Sequence, residues 1–238
     1  MVRTSIWLIA IITLITTVLD IKVWYMVYHE GVPQPALALQ FSQIGRFIRT
    51  LLLLGFVPAI MHSRLSGHKQ LFLSFGLAIV ADFFLILKGQ LVMGIAFFAL
   101  MQILLVSRHL AGFGWQHLKQ INVKWAMIVA VAVWALAMLL LNPGLQATGL
   151  FLPVAGYGLL LILSVWAAYT AMYLDKLPLQ AARLAFYGLL LFLACDITVG
   201  LGAIWEGESR GVLIRALTGI FYGPCLILLG LTGIRKGV

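Results

Sequence analysis

The sequence predicts an all-α fold: a polytopic membrane bundle of eight transmembrane helices, forming a single domain over residues 1–238. Three observations point there. The chain is 63% hydrophobic and only 10% charged, where a soluble domain carries about 25% charged residues. Mostly apolar stretches of the ~20 residues needed to cross a bilayer can be drawn at 5–28, 39–61, 70–88, 91–107, 123–141, 150–173, 181–205 and 212–234. The basic residues gather in alternate connections rather than in one patch. The net charge of +9 therefore reads as a topology signal and not as a nucleic-acid surface.

The first stretch is too long for a signal peptide and lacks a small-residue cleavage site, so it is expected to span. It carries Thr13, Thr16, Thr17 and Asp20. The second carries Ser42, Arg46, Arg49 and Thr50 at helical spacing, which places them on one face. The third holds a lone acid, Asp82, and is joined to the fourth by a tight turn at 88–90, so these two form an antiparallel hairpin. The fourth offers Gln102, with His109 two turns on. The fifth, WAMIVAVAVWALAMLLL, has no polar stripe and is expected to face lipid. The sixth offers Tyr157 and Ser164, and the seventh the second lone acid, Asp196. The eighth carries Arg215, Thr218, Tyr222 and Cys225 at steps of three and four. Gly219 and Gly223 form a small-residue pair in it, which favours close helix packing, and Pro224 follows at once. Cys195 and Cys225 lie inside apolar spans and read as small core residues. No His or Cys partners stand at ligand spacing, so neither metal nor cofactor is expected.

Charge bias sets the orientation. With a cytoplasmic N-terminus, the inner segments hold Arg3, Arg64, Lys69, Arg108, Lys119, Lys124, Lys176, Arg183, Arg235 and Lys236, against one acid, Asp175. The outer segments hold Glu30, Lys88, Glu206, Glu208 and Arg210. Both termini are thus expected to be cytoplasmic, and the expected location is a bacterial cytoplasmic membrane. At ~1.5 Å per residue, Asp82 falls about 9 Å, Asp20 about 12 Å and Asp196 about 14 Å below the outer ends of their helices. Arg46, Arg49 and Arg215 enter from the same side, so a polar cavity in the outer half is expected. His62, His68, His109 and His117 fall at the inner interface and are expected to be solvated. Asp20 is expected to pair with Lys22 or an arginine.

The pieces ADFFLIL, GIAFFALMQILLVSRHL, LFLACDITVGL and FYGPCLILL resemble the YhhN family of membrane proteins, also called the lysoplasmalogenase family, in order and spacing across nearly the whole chain. The resemblance implies an eight-helix bundle with one acid in the third helix and one in the seventh, matched here by Asp82 and Asp196. It implies hydrolysis of the vinyl ether bond of lysoplasmalogens, releasing a fatty aldehyde and a glycerophospho-base. Arg46 and Arg49 fall where the family has basic residues, and Phe98, Tyr157 and Tyr222 where it has aromatics. The chain departs from the usual pattern at Ala81, Gln102, Cys195 and Cys225, where the family has Gly, His, Ser and a polar residue.

Ionisable groups inside a membrane are expensive and by default functional. A vinyl ether is cleaved by protonating its carbon, a step that needs a carboxylic acid still holding its proton. Low dielectric and a neighbouring carboxylate both favour that form. The expected catalytic pair is Asp82 and Asp196, one as acid and one as stabilising carboxylate, a division of labour known from glycosidases. Arg46, Arg49 and Arg215 offer guanidinium forks for a lipid phosphate, and Gln102, Tyr157 and Tyr222 complete the expected substrate contacts. The expected partner is a lysophospholipid-like membrane lipid, with no nucleic acid. Two other readings use the same residues: a transporter or lipid-binding protein with the same polar cavity, or salt bridges that merely hold the bundle together.

Overall fold

The computed structural model describes residues 2–29, 36–63, 65–205 and 209–234. The described residues are helical with short connections and contain no strand. The helices are α1 (Val2–His29), α2 (Ala36–Leu51), α3 (Val57–Ser63), α4 (His68–Asp82), α5 (Leu91–His109), α6 (Ile121–Ala147), α7 (Phe151–Thr170), α8 (Leu179–Ile204) and α9 (Ser209–Leu231). A 3-10 segment, Leu52–Phe56, joins α2 to α3, so that Gln40–Ser63 is one crossing. A π turn, Phe83–Leu87, extends α4 to its full crossing, His68–Leu87. Seven segments are long and apolar enough to span a bilayer, and α9, with its apolar stretch Ala216–Leu231, supplies the eighth. The chain is an integral membrane protein, built as an all-α bundle.

Neighbouring contacts run α1 to α2, α2 to α4, α4 to α5, α5 to α7, α7 to α8, α8 to α9 and α9 back to α1. These crossings close a ring. α6 stands outside it, packed on α7, and touches α8 only slightly. Val123 and Leu145, near its two ends, are fully buried, whereas Val129, Leu136, Leu139 and Leu140 are exposed. This is the surface of a lipid-facing helix, in keeping with the absence of a polar stripe.

Inside the ring, Phe56, Leu53, Leu161, Leu189 and Phe192 are almost wholly buried. Lipid tails are as apolar as these side chains, so close contact rather than expulsion from water holds such helices together. The glycine pair of α9 shows how. A β-carbon on Gly223 would stand 2.2 Å from Thr13 Oγ1, and one on Gly219 would stand 3.3 Å from Thr17 Oγ1. The two glycines let α9 lie directly against the threonine face of α1.

Three features differ from the expected spans. The second crossing changes winding at Leu52–Phe56. Pro58 has no N–H and crowds the carbonyl four residues back, so the chain tightens just before it. The third crossing ends in a π turn, which periodicity does not reveal. α6 continues through Asn142, Pro143 and Gly144 to Ala147, past the expected end at 141. Leu145 is buried there, and Gly144 brings α6 so close to α8 that an added β-carbon would stand 2.8 Å from Ile204 Cγ2.

Candidate functional site

Three polar clusters run through the ring. In the first, Asp20 on α1 accepts a hydrogen bond from Ser42 Oγ at 2.8 Å and pairs with Arg46 Nη2, both on α2. Asp20 thus finds an arginine, as expected. In the second, Asp82 on α4 is fully enclosed. Its Oδ2 accepts from Thr50 Oγ1 at 2.5 Å and from the Tyr222 hydroxyl at 2.8 Å. Arg49, also fully buried, closes this cluster. Its Nη1 donates to the Gly219 carbonyl at 3.2 Å and its guanidinium lies 5.1 Å from the centre of the Tyr222 ring. In the third, the Tyr157 hydroxyl of α7 donates to Asp196 Oδ2 of α8, and the Gln102 amide of α5 lies beside Tyr157.

The second and third clusters adjoin. Tyr222, which bonds Asp82, has its ring centre 5.9 Å from that of Phe192 on α8, the helix that carries Asp196. Phe192, one turn before Asp196, also meets Phe98 on α5, with ring centres 5.4 Å apart. The structure therefore brings both acids into one region of the bundle.

It gives them different surroundings, however. A cavity with about 910 Å³ of empty space, its open side included, lies between α6 and the ring. It is lined by parts of α5, α6, α7 and α8 and by Leu85 of the π turn, almost entirely with apolar side chains. Asp196 is the one charged residue on its wall among the described residues, and Tyr157 lies beside it. Asp82 does not reach this wall. The expectation of one shared pocket is replaced by a tandem, an acid at a cavity and an acid sealed behind it. The reason is local. Asp82 ends the α-helical part of its crossing and points to α2 and α9, where Thr50 and Tyr222 cover it.

Of the expected substrate contacts, Tyr157 lines the cavity. Gln102 is fully buried, and its amide atoms have no hydrogen-bond partner of acceptable geometry. Arg46 and Arg49 share a face of α2, but their guanidinium groups turn to Asp20 and to Gly219 with Tyr222. The backbone at Arg215 is helical, one turn before Thr218; its side chain lies outside the described residues. His109 is buried, not solvated. Arg108 Nη1 lies 3.2 Å from its Nε2, and the Arg108 guanidinium donates to the Thr232 carbonyl at 2.9 Å and to its hydroxyl at 3.1 Å. Arg108 thereby satisfies the carboxyl end of α9, which carries partial negative charge. Thr50 and Phe192 carry weight that sequence reasoning did not assign to them. Thr50 was visible in the α2 stripe, four residues after Arg46, whereas nothing in the apolar run around Phe192 marks it out. Among the described residues no group of His, Cys, Asp and Glu side chains is arranged to hold a metal ion.

No curated protein and no solved structure matches the chain. A family model does: the YhhN family matches residues 43–231, from α2 through the end of α9, and so takes in both acids and the helices that hold them. On that match the chain belongs to the YhhN family.

Proposed function

We propose that the protein is a lysoplasmalogenase-like hydrolase in which Asp196 delivers the proton and Asp82 supports it from behind. Family membership supports a hydrolase at the family level. The observation that carries the finer reading is a single carboxyl on the wall of an otherwise apolar cavity, hydrogen-bonded by one tyrosine. A proton donor must touch its substrate, and Asp196 reaches the cavity where Asp82 does not.

The reaction follows from that arrangement. Protonated Asp196 transfers its proton to the vinyl carbon remote from the ether oxygen, and the double-bond electrons form the new C–H bond. The oxocarbenium ion left behind is stabilised by the carboxylate now present. Water adds to its carbon and returns a proton to Asp196. The hemiacetal breaks its C–O bond, the alkoxide takes up the hydroxyl proton, and an aldehyde and a glycerophospho-base are released. Tyr157 orients Asp196. Asp82, clamped by Thr50 and Tyr222, supplies negative charge behind the site. Arg46 is engaged by Asp20 and Arg49 by Gly219 and Tyr222, which supports a role in holding the helices around the site rather than in gripping a phosphate.

The test is aldehyde release from a lysoplasmalogen by purified protein in lipid vesicles. Asp196→Asn should lower the rate by about 10²–10⁴-fold, the usual contribution of a general acid. Asp82→Asn should lower it less, with the protein still folded. Normal turnover by Asp196→Asn would remove that residue from the chemistry. Lipid binding without any aldehyde would favour the lipid-binding reading of the same cavity.

A further inference from the structure

α6 packs on α7 near its start, where the buried Val123 carbonyl accepts from Trp166 Nε1 at 3.1 Å, and at Trp134, whose Nε1 donates to the Ala155 carbonyl at 3.1 Å; Leu145 is buried near its end. Beneath its second half, from Val133 to Leu145, lies the cavity. Two glycines on the wall behave differently. A β-carbon on Gly158 would stand 3.5 Å from Trp134 Cδ1, an ordinary contact that fills the space. A β-carbon on Gly200 would meet no atom within 4 Å. Gly200 follows Asp196 by four residues on α8, so both stand on one face, about 6 Å apart along the axis. The open part of the cavity therefore adjoins the carboxyl.

We propose that Gly200 keeps open the seat of one aliphatic chain, which enters from the bilayer beneath α6 and lies across the Asp196 carboxyl. Three observations identify that occupant. The wall is apolar except at Asp196 and Tyr157, so a ligand that fits it is apolar except at one place. The Trp134 N–H, the other polar group nearby, is already bonded to the Ala155 carbonyl. The outer face of α6 is exposed and apolar, so the cavity borders lipid, and the apolar solute present there in bulk is a lipid chain. This deepens the hydrolase reading and rests on it for the identity of the chain as the substrate's own. Gly200 then acts as a specificity-determining residue, since any side chain there grows into the seat.

The experiment uses full-length protein in phosphatidylcholine vesicles. The probe is a lysophospholipid with a saturated, ether-linked chain bearing a diazirine, which the reaction cannot cleave. Wild type, Gly200→Ala, Gly200→Leu and Gly200→Phe are photolabelled and their peptides mapped. Label is expected on 133–145 and 193–203, competed by unreactive analogue, and falling stepwise along the series by at least tenfold at Phe. Label on the lipid-facing side of α1 around Trp7 and Leu14 should stay constant. If the Phe variant does not fold, the order of wild type, Ala and Leu decides. No cavity label, or label indifferent to the series, overturns the proposal. Aldehyde release measured in parallel separates the two readings. A graded loss of label in a protein that releases no aldehyde upholds the seat and removes the hydrolase. Aldehyde release with label indifferent to Gly200 does the reverse.

Discussion

Asp82 and Asp196 are the same residue type in the same membrane, and their neighbours make them different groups. Asp82 takes two hydroxyl donors on one oxygen, one of them from Tyr222, whose ring meets the buried Arg49 guanidinium. Asp196 takes one phenol and faces a cavity. Substitution should separate these roles. Tyr157→Phe removes the hydrogen bond that fixes Asp196 and leaves the ring in place. It should lower kcat for aldehyde release about tenfold or more, matching the roughly 1.5–3 kcal/mol of a hydrogen bond to the charge that forms as the proton leaves, and cost about 1 kcal/mol of stability like other interhelical hydrogen bonds. Thr50→Val and Tyr222→Phe act on the sealed acid instead. Each should cost about 1 kcal/mol of stability, in line with interhelical hydrogen bonds in membranes. Because they share one acceptor oxygen, the double variant should depart from additivity, and unfolding in a detergent titration reads both effects. Equal losses of kcat without any loss of stability would contradict a supporting role for Asp82. The two acids and Tyr157 stood out in the sequence because polar atoms in an apolar run are conspicuous. The division between them was not legible, since it depends on which neighbours cover which oxygen across distant helices.

Two elements change their winding beside Asp82. The 3-10 segment begins two residues after Thr50, and the π turn begins directly after Asp82. π turns are rare and occur mostly at functional sites. Here the turn lets Asp82 face α2 and α9 while Leu85, three residues on, lines the cavity. Spans were legible from apolar length and the hairpin from its short turn. These rewindings were not, because hydropathy counts residues and is indifferent to how they are wound. The cause of the first, Pro58, was in plain view, but the second has no comparable marker. α9 shows the opposite case, in which a local motif carried its packing meaning directly. Gly219 and Gly223 meet the threonines of α1 as a small-residue pair should. Gly223→Val should force α9 from Thr13 and cost about 1–3 kcal/mol, the usual range for overpacking. Since Arg49 bonds the Gly219 carbonyl one turn away, the same change should reduce activity as well as stability. A thermal melt and an aldehyde assay on one preparation test this, and unchanged values in both would mean that α1 and α9 tolerate a wider separation.

At the scale of the whole molecule, eight crossings place the start of α1 and the end of α9 on one side of the bundle. The cavity lies towards the end of the bundle that holds the start of α5, the α6–α7 connection and the end of α8. Charge bias is the property that favours one orientation over the other. Lys69, Lys119, Lys124, Lys176 and Arg183 fall at or near the opposite end, whereas Lys88 and Arg210 fall at the cavity end. Arg108 counts for less than the sequence suggests, since it is spent on Thr232 inside the bundle. The remaining bias still favours cytoplasmic termini, because lysines and arginines in short loops are retained on that side. Single introduced cysteines test this against a silent background, since the native Cys195 and Cys225 are free and buried. A membrane-impermeant maleimide applied to intact cells should label Lys88→Cys. It should label Lys119→Cys only after the membrane is opened, and wild type in neither case. The reverse pattern would turn the molecule over and leave the ring and both acids unaltered, but it would put Asp196 within reach of cytoplasmic-leaflet lipids instead of outer-leaflet ones. The side on which this carboxyl opens therefore decides which lipids can be substrates at all.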